Sequence, residues 1–240
     1  MNNREIYQIK RLIFLLIFFI FTNFLSINLF KKVDSGNIYI HGADFISIND
    51  ITENTSIQLP ERLIFIKTKL IEKELKQNIS LRQISITRQI FPFGLRINLQ
   101  ARKPIAFAER VENGIKIKGF VDKEGVFINK KYLPERGNLI FPIQIFGWKQ
   151  DHKELISLII KTYKDTDDLE VIKISSEGFI TLEEKFLKKI FLGFQTIEIE
   201  EKLNLIFDIR EQFKKQKIPK QIKSLDLTDL TNPKVKVFIP

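Results

Sequence analysis

The feature that most limits what this chain can fold into is an uncharged apolar segment near its start. Residues 12–30, LIFLLIFFIFTNFLSINLF, contain no charged side chain across 19 positions. As a helix that rises 1.5 Å per residue, the segment is about 28 Å long, close to the roughly 30 Å hydrocarbon core of a bilayer. Because lipid offers no hydrogen-bond partners, a single segment that crosses it has to be helical. The sequence therefore predicts a transmembrane helix over residues 12–30.

Two alternatives to this anchor stay open, a cleaved signal peptide and a buried helix of a soluble domain. A signal peptide has a shorter apolar core and a small-x-small cleavage site, and the stretch FLSINLFKKVDSG contains no such site. The sequence therefore favours an uncleaved anchor behind a short tail, residues 1–11. Basic residues are slightly more numerous before the span than after it, which favours a cytoplasmic N-terminus with the bulk of the chain outside.

After a linker at residues 31–37, residues 38–104 have the order strand, helix, helix, strand, strand. The stretch NIYIHG predicts a short strand that ends at Gly42. Ser47 is a good N-cap for the first helix. The stretch IFIKTKLIEKELKQ predicts a second, amphipathic helix. Its expected apolar stripe is Ile66, Leu70, Ile71 and Leu75.

Strict alternation of apolar and polar side chains predicts a hairpin at the end of this region. Ile84, Ile86 and Ile90 share one face, as do Leu95, Ile97, Leu99 and Ala101. A period of two is typical of strands with one buried face, and the stretch FPFG at 91–94 supplies turn chemistry between them. Because Pro104 lacks an N–H group, the second strand is expected to end near Lys103.

Residues 105–240 predict a second domain of strands and two helices. Asn113-Gly114 is a type I′ hairpin signal, and residues 122–125 make the next turn. Asp151 and Glu154 resemble a capping box at the start of the helix DHKELISLIIKTYKD. The expected inward residues are Leu155, Leu158, Ile159 and Thr162 in this helix, and Leu203, Ile206, Ile209 and Phe213 in EEKLNLIFDIREQFKKQK. The stretches VIKIS, FITL, KIFLGF, IKSLDL and KVKVFI read as strands of a meander, so an antiparallel-sheet-rich α+β domain is predicted.

Catalytic and metal-binding patterns are missing from the sequence. The chain has no cysteine, which excludes disulfides and thiolate metal sites, and its two histidines, His41 and His152, cannot make a histidine-rich site. Nucleophile and phosphate-binding motifs are absent as well. Acidic pairs occur at 167–168, 183–184 and 200–201 and are interpreted as turns or solvated helix starts. Trp148 is expected in the core or at its rim rather than as a partner-binding aromatic. The sequence predicts no enzyme, no cofactor and no small-molecule substrate.

Positive charge is concentrated in one part of the chain. Residues 61–110 contain eleven Lys and Arg and four acidic residues, which accounts for most of the net charge of +10. Beside an anchored membrane such a region can contact anionic headgroups. The alternative is simple solvation, because the abundance of Ile, Lys and Asn indicates an AT-rich genome that raises the lysine count. Nucleic-acid binding is not expected outside the cytoplasm and without interleaved aromatic platforms.

The last segment, KVKVFIP, is the candidate partner-binding strand. Its six candidate residues are Lys234, Val235, Lys236, Val237, Phe238 and Ile239. The two valines and the isoleucine share one face, and no later element covers them. At a sheet edge, the unpaired N–H and C=O groups of such a strand can accept a strand from a partner. The alternative is an edge that its lysines protect from aggregation.

The ordered set of these motifs resembles the FtsQ (DivIB) family of bacterial cell-division proteins. The chain has, in the family's order, Arg88, Phe91-Pro92, Leu95, Ile97, Leu99, Arg102, Pro104 and Ala106. The likeness continues in FVDKEGVFI, FPIQIFG, FLGF and LDL, and so extends over nearly the entire chain. On this resemblance residues 38–104 are a βααββ POTRA domain, and residues 105–240 are the family's β domain. Gly42, Phe91, Pro92, Arg102 and Pro104 are then structural motif residues of the POTRA domain.

The resemblance implies a function as well as a fold. It implies a non-catalytic single-pass scaffold of the divisome in the bacterial plasma membrane, which recruits other division proteins at the septum. Partners of FtsB and FtsL type are captured in that family by the far end of the β domain. Thr228-Asp229 stand where many members have Arg-Tyr, so the contacts of that pair do not carry over.

Two other functions stay open at this point. One is a POTRA module for outer-membrane protein assembly or polypeptide transport. A single POTRA region, an apparent anchor and two helices in the rest of the chain favour the scaffold over this module. The other is a cell-wall enzyme with an unrecognised site.

Overall fold

The computed structural model describes residues 3–133, 141–163, 168–215 and 222–237. The chain divides into two compact units, Met1–Ala101 and Arg102–Pro240. The whole is a mixed α+β protein with an apolar helix at the N-terminus, as the sequence predicted.

The first unit begins with the long helix α1, Asn3–Phe30. Its stretch Tyr7–Phe30 is long and apolar enough to cross a membrane. Polar side chains within the stretch are bonded to the helix itself: Asn23 Nδ2 donates to the carbonyl of Phe19 (3.1 Å), and Asn28 Nδ2 donates to that of Phe24 (2.8 Å). Such internal bonds lower the cost of placing amide groups in lipid. The helix is consistent with a single-pass membrane protein.

A small sheet with two helices follows α1 in the first unit. In chain order the elements are β1 (Lys32–Val33), β2 (Ile38–His41), α2 (Ile48–Glu53), β3 (Glu61–Arg62), α3 (Thr68–Asn78), β4 (Leu81–Gln89) and β5 (Gly94–Ala101). The sheet order is β2-β5-β4, with β2 parallel and β4 antiparallel to β5, while β1 and β3 form a separate short ladder. Apart from that ladder, the predicted βααββ order is confirmed.

The sequence pattern explains the β4–β5 hairpin. Ile86 pairs with Ile97 and Arg88 with Leu95, so the predicted apolar faces meet on one side. Leu95 and Ile97 are fully buried. Gly42 ends β2 with φ +89°, and a Cβ atom there would lie 2.3 Å from the carbonyl oxygen of Leu99. That close approach explains why the strand ends on a glycine.

The predicted stripe of the second helix is partly wrong. α3 begins at Thr68, so Ile66 is buried ahead of the helix rather than on it. Ile71 and Leu75 are buried one turn apart, whereas Leu70 is 41% exposed. Leu70 lies about 100° around the helix from Ile71, which places it at the edge of the buried stripe.

The second unit is one large sheet with two helices. Among its described residues the strands are β6 (Pro104–Glu112), β7 (Ile115–Asp122), β8 (Phe127–Asn129), β9 (Ile143–Phe146), β10 (Leu169–Ile174), β11 (Phe179–Glu184), β12 (Lys188–Phe194), β13 (Ile222–Asp226) and β14 (Lys234–Val237). The helices are α4 (Lys153–Thr162) and α5 (Ile199–Lys215). Spatially the strands run β14-β13-β12-β11-β10-β9-β6-β7-β8. The predicted β6–β7 turn is confirmed, with φ 51° at Asn113 and 77° at Gly114.

The chain does not meander throughout this sheet, which corrects the sequence interpretation. β9 runs parallel to both β6 and β10, and β12 runs parallel to β13. Parallel neighbours need a crossover, and α4 and α5 supply it between β9 and β10 and between β12 and β13. The other described neighbours in the sheet are antiparallel.

The helix α4 does not begin with the predicted capping box. A short 3-10 turn, Gln150–His152, precedes it, and the N-cap residue is His152, whose side chain makes no capping hydrogen bond. The buried residues of α4 are Leu155, Ile156, Ile159 and Ile160, so Leu158 and Thr162 lie beside the stripe rather than on it.

The remaining core predictions of the second unit are confirmed. In α5 the residues Leu203, Ile206 and Ile209 are buried, and Phe213 packs against the same core. Trp148 is 6% exposed and its Nε1 donates to the carbonyl of Gly125 at 2.9 Å. Trp148 is therefore a core residue, as the sequence favoured.

Candidate partner-binding edge of the second unit

The strand β14 lies at one end of the nine-stranded sheet. Within the described residues its neighbour is β13 alone, to which it is antiparallel. Lys234 pairs with Asp226, Val235 with Leu225, and Lys236 with Ser224. Phe238 and Ile239, also predicted for this strand, lie outside the described residues.

The outer side of β14 is open to solvent over the part that the structure describes. Lys234, Val235 and Lys236 are exposed, and Val237 is half-buried. Val235 keeps 37% of its surface exposed although its register partner Leu225 is fully buried. An edge of this kind presents a row of backbone donors and acceptors together with a shallow apolar side chain. This geometry can accept a strand.

The connection between β13 and β14 is fixed by two aspartates. Asp226 accepts hydrogen bonds from the backbone N–H (3.0 Å) and the hydroxyl (2.7 Å) of Thr228. Asp229 accepts the same pair of bonds from Thr231, at 2.9 and 2.6 Å. The Thr228 hydroxyl and N–H, and then Lys234 and Lys236, hold the pKa of Asp226 below its usual value. Thr228-Asp229 thus belong to a self-stabilised turn.

A buried lysine supports this turn from the core side. Lys202 of α5 is 2% exposed, and its ammonium group donates to the carbonyls of Leu192 (2.9 Å) and Thr228 (3.1 Å). It therefore ties α5, β12 and the β13–β14 turn together. The sequence interpretation missed this residue. A signal was present, because Lys202 shares the helical spacing of the buried residues Ile199, Leu203 and Ile206.

An aromatic group lies two strands in from the edge. Phe191 pairs with Asp226, which in turn pairs with Lys234. The ring of Phe179 lies 6.4 Å from that of Phe191 and 5.6 Å from that of Phe194. Because side chains alternate along a strand, Phe191 faces away from the core that holds Ile190 and Leu192. The sheet face beside the edge is therefore partly apolar.

A second charged cluster of this unit is internal. Glu184 and Arg210 form a buried ion pair, with 0% and 3% of their side chains exposed. Arg210 also pairs with Asp168 at 3.0 Å, and the hydroxyl of Tyr163 donates to Glu184 at 3.0 Å. Burial, together with the charge of Glu184, raises the pKa of Tyr163. Glu183-Glu184 are the end of a strand, so their interpretation as a turn or helix start is wrong.

The remaining predicted motif residues are placed as follows. Phe91 is 93% exposed, and the Phe91–Pro92 peptide bond is cis. Arg102 binds Asp122 (2.5 Å) and Glu124 (2.8 Å). Pro104 begins β6. His41 is exposed at the end of β2. Within the described residues, no three acidic or histidine side chains are grouped so as to hold a metal ion.

Comparison with known families identifies the first unit. A family model described as "POTRA domain, FtsQ-type" matches residues 35–102. No curated protein matches the chain. The matched range contains β2, α2, α3, β4 and β5, so the βααββ order and the family match agree. An FtsQ-type POTRA domain is a division-related, protein-binding module. Residues 35–102 are an FtsQ-type POTRA domain, and this match supports an assignment to the FtsQ (DivIB) family.

Proposed function

We propose that this protein is a non-catalytic, single-pass membrane scaffold of the bacterial divisome that recruits and holds other division proteins during septum assembly. The observation that carries the proposal is the FtsQ-type POTRA domain directly after a helix that can cross a membrane. The FtsQ-type family is a scaffold family without catalysis.

In this proposal the N-terminus is cytoplasmic, α1 crosses the membrane, and the chain after α1 lies outside the cytoplasm, at the division site. The slight excess of basic residues before the span supports that orientation. The scaffold has no cofactor and no small-molecule substrate, and it acts by binding other membrane proteins of FtsB and FtsL type.

The proposed binding mode is addition of a partner strand to β14. Phe191 and Lys234 lie on either side of Asp226 in the sheet, and residues paired across neighbouring strands point to the same face. Lys236 is two residues along β14 from Lys234 and points to that face as well. A partner strand with acidic and apolar side chains suits that face, while its backbone pairs with the outer side of β14. The lysines then contribute to partner choice as well as to protection of the free edge.

Depletion of the protein in its own bacterium tests the function. Long cells that grow without septa are the expected result. Normal septation accompanied by loss of outer-membrane proteins would contradict the proposal and indicate the assembly module instead. Activity of the purified protein on peptidoglycan would contradict the claim that it lacks catalysis.

Single substitutions test the binding mode separately. Val235→Asp places a charge in β14 on the face opposite Lys234 and Lys236, where it lies beside the apolar side chains of an added strand, and we expect it to abolish recovery of division proteins with the full chain. Ile115→Asp is the matched control, because Ile115 is another exposed β-branched residue of the same sheet, on β7. Equal recovery by both variants would rule out β14 as the binding strand. Unchanged thermal unfolding of both would show that the fold is intact.

A further inference from the structure

We propose that the first unit makes a second contact with the membrane, beside α1. In this contact Ile64, Phe65 and Phe91 enter the interfacial layer of the bilayer. The basic side chains around them bind the headgroups of anionic lipids; these are Lys31, Lys32, Arg62 and Lys67. The inference rests on the geometry of the first unit and does not depend on the proposed division function. We call these seven residues the membrane-proximal patch.

Backbone hydrogen bonds fix the depth of the patch relative to the membrane helix. The N–H of Ile64 donates to the carbonyl of Leu29, and the N–H of Leu63 donates to that of Lys31, each at 3.1 Å. Leu29 is in the last turn of α1, at the end of the apolar span. Ile64 is therefore held at the level where the hydrocarbon core gives way to the headgroups.

The β4–β5 turn is held at the same end of the unit. The ammonium group of Lys31 lies 4.7 Å from the ring centroid of Phe93, and Arg88 donates to the carbonyl of Ile66 at 2.7 Å. Through Phe93, the turn that carries Phe91 contacts the end of α1. Through Arg88 of β4, the strand before this turn is bonded to the segment that carries Phe65.

Exposed apolar side chains of this unit are concentrated at that end. Outside α1, its exposed large apolar residues among those described are Ile64 (38%), Phe65 (56%), Leu70 (41%) and Phe91 (93%). Two of these are phenylalanines that keep more than half of their surface exposed to solvent. An apolar ring at the end of a membrane helix is favourably buried at the boundary of headgroups and acyl chains.

The charges around these side chains fit anionic headgroups. Lys32 lies directly opposite Arg62 in the β1–β3 ladder, a like-charge pair that destabilises the ladder unless an anion lies between the two groups. None of the four basic groups of the patch is in an ion pair within the described part of the chain. Of the nearby acids, Glu61 accepts a bond from the backbone N–H of Arg62, and Asp34 is exposed.

Some of the basic residues that the sequence indicated for lipid contact, within residues 61–110, are in ion pairs with the protein's own carboxylates. Arg102 is engaged by Asp122 and Glu124 in the second unit, and Lys69 and Arg110 pair with carboxylates of their own elements. These cations are committed within the protein. These three cations are therefore not counted in the lipid surface, which we place at the membrane-proximal patch.

Site-specific fluorescence in a bilayer tests the proposal. The chain has no cysteine, so Phe65→Cys, Phe91→Cys and Gln100→Cys can each carry a single environment-sensitive dye. Gln100 is the matched control: it is exposed on β5, about 20 Å along the strand from the turn at Phe91. The full chain is reconstituted in vesicles of phosphatidylcholine alone or of equal parts phosphatidylcholine and phosphatidylglycerol. Because α1 anchors every variant, the dye reports local insertion rather than recruitment.

We expect a blue shift and protection from an aqueous quencher at positions 65 and 91, larger in the vesicles that contain phosphatidylglycerol, and neither effect at position 100. Reversing both charges of the ladder, Lys32→Glu with Arg62→Glu, is expected to remove the effect of phosphatidylglycerol. Unfolding curves of these variants are recorded in parallel, so that a misfolded protein is recognised. Emission at 65 and 91 that matches position 100 would overturn the proposal. Equal shifts in both kinds of vesicle would overturn its anionic-lipid part.

Discussion

The second unit uses charged residues in two contrasting places. Inside the sheet, Glu184 and Arg210 are almost inaccessible, and their charges are satisfied by each other and by Tyr163 and Asp168. At the edge, Lys234 and Lys236 are exposed, and the acid opposite Lys234, Asp226, is already bonded to Thr228.

This contrast separates charges that hold the fold from charges that remain for binding. A buried pair has lost its hydration, so removal of either partner leaves an uncompensated charge in the interior. An exposed lysine keeps its hydration and contributes little to the folded state. We therefore expect variants of the interior cluster to unfold the unit, and variants of the edge to change binding with the fold intact.

The largest effect is expected when one partner of the buried pair is removed. Glu184→Ala leaves the guanidinium of Arg210 buried beside Tyr163 and Phe207 with only the partly exposed Asp168 paired to it, and should cost about 3 kcal/mol in the free energy of unfolding. Denaturant unfolding followed by the fluorescence of Trp148 measures this. Trp148 suits the purpose because it is the single tryptophan and lies in the core of this unit.

The double variant Glu184→Leu with Arg210→Met tests the physical reason. Replacing both members by apolar residues removes the stranded charge, so most of the lost stability should return. If the double variant is as unstable as Glu184→Ala, the cluster contributes through something other than charge compensation.

A smaller effect is expected for Arg102. Its guanidinium bonds Asp122 and Glu124, and Asp122 also accepts the N–H groups of Glu124 and Val126 (both 2.9 Å). Burial disfavours the charge of Arg102, but the hydrogen bonds to Glu124 and Asp122 outweigh it and raise its pKa. Arg102→Ala should cost on the order of 2 kcal/mol, the range for hydrogen bonds to charged groups.

The same Trp148 signal measures the Arg102 effect, because the turn at Asp122 contains Gly125, whose carbonyl accepts from Trp148. Arg96→Ala is the control, since Arg96 is exposed on β5 and its loss should change stability by no more than about 0.5 kcal/mol. If the two variants changed the free energy of unfolding equally, the hydrogen bonds of Arg102 would contribute no more to stability than an exposed surface charge does.

Local pattern was enough to predict much of the fold. Alternation in the β4–β5 hairpin predicted which face is buried, and Asn113-Gly114 predicted the β6–β7 turn, because both signals depend on neighbours in the chain. The parallel pairings of β9 and β12 depend on where α4 and α5 return the chain. No local signal gives that information.

The candidate sites also include one feature that the sequence indicated and others that only the fold shows. The alternating pattern of KVKVFIP made β14 a candidate edge strand, and among the described strands it lies at one end of the sheet. The pair of Glu184 and Arg210 joins a strand to a helix 26 positions later, so it appears only in the fold. The exposure of Phe91 was not predicted from the sequence either, because phenylalanine side chains are most often buried in folded proteins.

The smallest expected effect concerns pH at the edge itself. Hydrogen bonds from the Thr228 hydroxyl and N–H, followed by the charges of Lys234 and Lys236, lower the pKa of Asp226 from its ordinary value of 3.8. A carboxyl group with a lowered pKa stabilises the folded turn at pH above the ordinary value, and that contribution is lost as the pH falls through the lowered one. The turn should therefore loosen only in strong acid. An NMR titration of the Asp226 carboxyl should give a midpoint below 3.8.

Thr228→Val removes the hydroxyl donor and should move the midpoint of Asp226 up towards its ordinary value. Thr231→Val is the matched control, because it removes the equivalent donor from Asp229 and leaves Asp226 untouched. Both variants should leave the Trp148 unfolding curve within about 0.5 kcal/mol of the parent protein. A midpoint of Asp226 that Thr228→Val does not move would show that the lysines of β14, and not the turn, hold its charge. Those lysines would then be partly committed to the fold, and the contrast between interior and edge would be weaker than the structure indicates.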